Sequence, residues 1–489
     1  MDPLREVARR DPQGVAVVDA DSPGAEWSWR ELDAGADAAA IRLTEAGVGP
    51  GDRVATLLSA SLEFLVLLHA LPRIGAVLQP LPLAWTGPER EAVLSGGIRP
   101  ALLVAPAFRV PELRRAHPQV GTVAVEEFVL RDSEDGLVHR LALPPADEDT
   151  PVAVLLTSGT SGQPRPVPLT QGNLLASARG AEARLRLDPA DRWLASLSPA
   201  HVGGFALLHR AAVVGCSVVV CSDPTPDVIL DLADRGEITH LSLVPVQLRR
   251  LLELRGETSA PRALRCVLLG GAATPHPLLD EALRRRWPIA LTYGMTEATS
   301  QVATAPPEEV RRRPGSVGQP LPGVELHIQS PSPDGVGEIW VRGPTVALLP
   351  RRVPGRVPSS SASPHVDAEG WLHTGDLGRR DDEGRLWITG RSSHRIVTGG
   401  VTLEPEEVAA ALAGHPGILE VAVTGAPDPE WGERVVAVVV PRDPASPPTL
   451  EDLLVYARER LAPAKRPREL RIREALPRNA NGKVDRSQL

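Results

Sequence analysis

The chain reads as an α/β protein: a large N-terminal domain of layered, largely parallel sheets and helices, followed by a small α+β C-terminal domain. Three observations predict this. At 489 residues the chain exceeds what one compact core organises, so two or more domains are expected. Apolar helical stretches alternate with short β-rich runs from the N-terminus onward, the pattern of parallel sheets covered by helices. After Gly390-Arg391 the character changes, which divides the chain into residues 1–389 and 390–489.

Taken in order, residues 29–46 predict a helix and 53–58 a strand. A helix over 62–71 stops at Pro72, and Leu102–Ala105 is a strand. An acidic, proline-containing connector at 144–150 leads to strands near 152–156, 217–221, 240–244 and 266–269. Two similar sheet-forming halves stay open. Residues 350–364, rich in Pro, Ser and Arg, read as an exposed loop. Asp381-Asp382-Glu383-Gly384 is a turn before the strand 386–388. Pro405-Glu406-Glu407 opens a helix, because proline is preset for the first turn and the acids complement the dipole. Strands at 419–423 and 435–440, a linker at 441–448 and a helix over 450–460 complete the small domain.

Composition narrows the function. A net charge of −8 gives no general attraction to nucleic acid or anionic membrane. No apolar run approaches the roughly 20 residues needed to cross a bilayer, and the N-terminus lacks a signal-peptide apolar region. Cys216, Cys221 and Cys266 are an odd set, two of them in one apolar run, and read as reduced buried thiols in a cytosolic protein. Of 53 basic residues only Lys465 and Lys483 are lysine; Tyr293 and Tyr456 are the only tyrosines, and Met295 is the one methionine after the first residue. A disfavoured residue type that persists inside a motif points to chemistry there.

Four segments carry that chemistry. Thr157-Ser158-Gly159-Thr160-Ser161-Gly162 follows a β-like run; its glycines allow close backbone approach and its hydroxyls and amides suit phosphate oxygens. It is not a Walker A loop, since no Gly-Lys-Ser/Thr follows at the required spacing. Thr292-Tyr293-Gly294-Met295-Thr296-Glu297 offers an aromatic face for a base and a carboxylate for Mg²⁺. Trp371-Leu372-His373-Thr374-Gly375-Asp376, with Gly390-Arg391 after it, offers a carboxylate able to accept both hydrogen bonds of a ribose diol. Pro477-Arg478-Asn479-Ala480-Asn481-Gly482-Lys483 keeps a lysine where arginine has replaced it almost everywhere else. An ammonium is a compact point donor, which a guanidinium fork is not.

In this order and spacing the four segments resemble the core motifs of the acyl-adenylate-forming superfamily, which includes acyl-CoA synthetases, firefly luciferases and nonribosomal peptide adenylation domains. The resemblance covers essentially the whole chain, from Gly47-Val48-Gly49-Pro50-Gly51-Asp52 through Gly270-Gly271-Ala272 to Lys483. It implies an ATP-dependent ligase that forms an acyl-adenylate and passes the acyl group to coenzyme A. It places Thr157 to Gly162, with Thr160 catalytic, on the ATP phosphates, and Gly271, Ala272, Tyr293 and Gly294 around adenine, with Met295 and Thr296 also binding the nucleotide. Glu297 would bind Mg²⁺, Asp376 and Arg391 the ribose, and Lys483 the carboxylate and α-phosphate. The small domain would be mobile and rotate, with Gly399 and Gly400 on the pantetheine path. Ser161 departs from the family's threonine and Arg165-Pro166 from its Lys-Gly. Ser393 stands at the usual Asp or Lys hinge, which bears on the rotation rather than on adenylation.

For the acid, residues 293–302, Arg313-Pro314-Gly315-Ser316-Val317-Gly318 and Pro199-Ala200-His201-Val202-Gly203-Gly204-Phe205 are similar to o-succinylbenzoate–CoA ligases of menaquinone synthesis. That resemblance puts His201, Ser300 and Arg210 at the acyl pocket. A buried guanidinium needs an anion, and the second carboxylate of such an acid would supply one; a structural role for Arg210 weighs equally. A ligase for another aryl or medium-chain acid, an enzyme loading a carrier protein, and a silent nucleotide-binding homologue are the alternatives. A homo-oligomer stays open.

Overall fold

The computed structural model describes the chain except residues 1, 23, 86, 97–98, 130–146, 159–163, 349–364, 392–395, 399–400, 404, 429–431, 462 and 479–483. Gly159, Thr160, Ser161, Gly162, the 350–364 loop, Ser393, Gly399, Gly400 and Lys483 therefore lie outside the described residues.

Among the described residues the strands form four sheets. The largest has nine strands, and six of them run parallel: Val15–Asp19, Ser217–Val220, Arg192–Leu194, His240–Leu243, Cys266–Leu269 and Ile289–Met295. The antiparallel strands Ser300–Ala305 and Gln319–Pro320 follow on one edge. A six-stranded sheet is parallel through Gly121–Ala124, Leu102–Ala105, Arg53–Thr56, Val77–Pro80 and Pro151–Ser158, then antiparallel at Pro164–Thr170. An antiparallel five-stranded sheet spans residues 325–391, and a mixed five-stranded sheet spans 396–472. The chain leaves the third sheet at Arg391 and enters the fourth at Ile396.

Local chemistry explains the elements. Trp29–Glu45 starts in a capping box, with Ser28 Oγ accepting from the Glu31 amide at 3.3 Å and Glu31 Oε2 accepting from the Ser28 amide at 2.7 Å. Leu62–Arg73 runs two residues past the expected stop and takes in Pro72 in its last turn. Leu62–Arg73 and Val202–Val214 are apolar nearly all round, as helices buried within a core must be. Their Phe64 and Phe205 rings meet edge-on at 6.4 Å, in one core cluster with Leu78 and Val104 of the six-stranded sheet and Val218 of the nine-stranded sheet. Among the described residues no helix is long and apolar enough to cross a membrane. The three cysteines are free and buried, and burial raises the thiols of Cys216 and Cys266 to about 12 and that of Cys221 to about 11.

The same two helices bury a stacked histidine pair, His69 and His209, with ring centroids 6.5 Å apart. Burial pulls His69 down to about 4 and His209 to about 3. Their folded pKa values lie below the unfolded one, so the neutral-state stability is complete above about pH 6.5. As pH falls from there the unfolded chain binds protons that the folded chain refuses, and stability drops. Denaturant melts between pH 6.5 and 5 should lose about 1 kcal/mol per pH unit for each histidine, and His209→Leu should flatten that slope.

Candidate active site

The second motif lies where a parallel strand ends. Ile289–Met295 runs into a one-turn helix, Thr296–Ala298, and the chain returns along Ser300–Ala305. The reversal is tight. A Cβ on Gly294 would lie 1.8 Å from the Ser300 carbonyl oxygen, so only glycine fits. Thr299 and Ser300 take φ of 53° and 102°, left-handed values unusual for residues with side chains. Hydrogen bonds hold them there: the Thr299 amide to Thr296 O at 3.0 Å, Thr299 Oγ1 to Thr345 O at 2.7 Å, and Ser177 Oγ to Thr299 O at 2.7 Å. The Ala347 amide donates to the Glu297 carbonyl at 2.9 Å. Strain over-determined in this way is a means of fixing a side chain.

The fixed side chain is Glu297, buried, with Oε1 accepting from Arg165 Nη2 at 2.8 Å. Arg165 comes from the other sheet. It pairs in register with Thr157, whose hydroxyl donates to the Arg165 carbonyl at 3.4 Å. The start of the hydroxyl-rich loop and the Glu297 carboxylate are thus joined across two sheets. A hard anionic oxygen suits Mg²⁺, which is often held by one or two carboxylates together with substrate phosphates. Among the described residues no cluster of three His, Cys, Asp or Glu forms a separate metal cage.

The third sheet supplies Asp376. Its carboxylate Oδ2 accepts from the Tyr293 hydroxyl at 2.7 Å, and its amide donates to Thr374 Oγ1 at 3.0 Å. Arg391 lies opposite Asp376 in the strand register. Gly271, Ala272 and Gly294 are exposed beside the half-buried Met295 and Thr296. His201 caps the helix Val202–Val214, which touches the strand that Ser300 opens.

Arg210 lies further along the same helix. It sits nine residues after His201, about 13 Å further along the helix axis at ~1.5 Å per residue. Its guanidinium lies 5.3 Å from the Trp193 ring centroid and within electrostatic reach of Cys216 and Cys266. Cys266 opens the strand whose far end leads into Gly270 and Gly271. Arg210 therefore lies at the end of the sheet away from Glu297 and Ser300. It is 2% exposed, Nε has no hydrogen-bond partner, and burial lowers its pKa to about 10. The Trp193 face offers the cation a cation–π contact. Replacing a buried charge by an apolar group of similar volume is often neutral or stabilising. Arg210→Met should shift stability by less than about 2 kcal/mol if the role is structural, as melts would show; a selective loss of kcat/KM with a dicarboxylic over a monocarboxylic acid would instead place Arg210 at the acyl pocket.

Sequence reasoning missed the Arg165–Glu297 and Tyr293–Asp376 pairs and the support from Ser177 and Thr345. Arg165, standing where the family has lysine, was the one available signal.

The AMP-binding enzyme family matches residues 4–348, and the AMP-binding enzyme C-terminal domain matches 407–483. The 2-succinylbenzoate–CoA ligase of Bacillus velezensis is 34% identical over 492 residues, covering 99% of this chain and 96% of that protein. The o-succinylbenzoate CoA synthetase of Bacillus subtilis, solved with the acyl-adenylate intermediate OSB-AMP, superposes with a TM-score of 0.87 at 32% identity, covering 100% of this chain and 97% of that one. A double mutant of the same enzyme, bound with its product analogue OSB-NCoA, gives 0.71 at 32% identity, covering 100% and 98%.

Proposed function

This chain belongs to the AMP-binding enzyme family and is an AMP-forming CoA ligase; from that premise we propose that its acid is 2-succinylbenzoate and that its product is the CoA thioester of menaquinone synthesis. One observation carries the choice of acid: the full-length similarity to 2-succinylbenzoate–CoA ligases.

In the first step a carboxylate oxygen of the acid attacks the α-phosphorus of ATP. The bond to the bridging oxygen breaks, and pyrophosphate leaves with its electron pair. In the second step the CoA sulfur, having lost its proton, attacks the acyl carbon and expels AMP. The residues divide this work. The segment from Thr157 through Ser158, Gly159, Thr160 and Ser161 to Gly162 holds the phosphates. Gly271, Ala272, Tyr293 and Gly294 bound the adenine, and Met295 and Thr296 also bind the nucleotide. Asp376 and Arg391 take the ribose, and His201 and Ser300 wall the acid. Lys483 places an ammonium between the carboxylate and the α-phosphate, where negative charge accumulates. Glu297 would hold Mg²⁺, which neutralises phosphate charge when bound.

A mobile small domain, beginning near residue 390, fits this two-step reading, with Gly399 and Gly400 facing the pantetheine path. At equal identity, the arrangement here is closer to the adenylate-bound relative than to the one carrying the product analogue, 0.87 against 0.71. Reduced, buried cysteines suit the cytosol. The test is thioester formation over a panel of acids, with CoA and with a pantetheinylated carrier protein as acceptors. The highest kcat/KM should fall on 2-succinylbenzoate with CoA. A higher value for benzoate, a medium-chain fatty acid or the carrier protein would replace this assignment.

A further inference from the structure

We propose that Tyr293 is a positioning residue for the nucleotide ribose, acting through its hydroxyl on the Asp376 carboxylate. The inference rests on the reading of Asp376 as the ribose acceptor and extends it to a residue otherwise assigned only to adenine.

The two residues come from different sheets and are 83 apart in sequence, yet the hydroxyl donates to Oδ2 at 2.7 Å in a buried contact. The Asp376 backbone is held separately: its amide donates to Thr374 Oγ1 at 3.0 Å, and that hydroxyl donates to Ile339 O at 2.6 Å. The adjacent Gly375 amide donates to Glu338 Oε1 at 3.0 Å. Main chain and carboxylate are therefore oriented by different neighbours. An ionised carboxylate carries about four lone-pair sites, more than the single Tyr293 hydroxyl takes up. Orienting the acceptor before the nucleotide arrives reduces what must be ordered on binding. The same side chain then serves two parts of the nucleotide, the ring by its face and the ribose through its hydroxyl. This accounts for tyrosine rather than phenylalanine in a chain with only two tyrosines.

The experiment compares Tyr293→Phe, Asp376→Asn and Asp376→Ala with the wild type, using ATP, 2′-deoxy-ATP and 3′-deoxy-ATP in pyrophosphate exchange, with a melt for each variant. Wild type should prefer ATP. Tyr293→Phe keeps the ring and should raise KM for ATP about tenfold, with kcat little changed. For at least one deoxynucleotide the difference between Tyr293→Phe and wild type should shrink to about twofold or less. A purely structural link between sheets would lower the melting temperature but cost all three nucleotides equally, and that result overturns the proposal. If either Asp376 variant loses the preference for ATP while Tyr293→Phe keeps it, the ribose reading stands and the positioning role falls. If both folded Asp376 variants keep the preference, the ribose reading fails and the proposal with it. Asp376→Asn, nearly isosteric, supplies the readout should Asp376→Ala not fold.

Discussion

Lys483→Ala is expected to lower carboxylate-dependent pyrophosphate exchange about 10²- to 10³-fold, the usual cost of removing one donor aimed at developing transition-state charge. Lys483 is one of two lysines among 53 basic residues, inside Pro477-Arg478-Asn479-Ala480-Asn481-Gly482-Lys483. A compact ammonium can sit between a carboxylate and an α-phosphate without the planar demands of a guanidinium, so Lys483→Arg should recover little. Thioester formation from supplied acyl-adenylate does not pass through that first transition state. It should therefore suffer far less, and this split is the diagnostic measurement. Equal losses in both half-reactions, or near-normal exchange, would remove Lys483 from the adenylation step.

Gly294→Ala should be nearly as damaging for a different reason. The added Cβ would meet Ser300 O at 1.8 Å, Ser300 C at 2.6 Å and Gln301 Cα at 3.0 Å, all backbone atoms that no rotamer change can move aside. The hairpin would have to open, shifting Glu297 on one side and Ser300 on the other. Misplacing catalytic groups by about 1 Å can cost on the order of 10²-fold in rate, while overpacking costs about 1–3 kcal/mol of stability. The expected outcome is a folded enzyme with a modestly lower melting temperature and adenylation reduced about 100-fold. Glu297→Gln in the same assay should raise the Mg²⁺ requirement without the stability loss. Full activity in Gly294→Ala would mean that the hairpin tolerates a wider turn and does not set the position of Glu297.

Much of the fold was legible along the chain. The strand Leu102–Ala105 appears over its expected residues, and Cys266–Leu269 does as well. Both are short, wholly apolar runs bounded by polar or turn residues, as strands buried on both faces should be. The helix at Trp29–Glu45 and the turn before Leu386–Arg391 follow the same logic of caps and turn residues. Ends were less legible. The strands Ile418–Asp428 and Gly432–Pro441 run longer than their apolar centres, because their ladder continues through residues whose side chains carry no alternating pattern.

By itself the sequence determined the α/β class and the family of the enzyme, and it showed a change of character near residue 390. Motif spacing and residue chemistry are properties of a single chain and survive without coordinates. Only the tertiary structure decided partners and directions. Apolar periodicity says that Arg210 is buried, but which end of the sheet its helix turn faces depends on strand order, and that order puts it against Trp193 and within electrostatic reach of two cysteines. The Glu297–Arg165 contact spans 132 residues and the Tyr293–Asp376 contact spans 83. Each is made where separate sheets meet, and the packing of one sheet against another is a three-dimensional fact that no local pattern encodes.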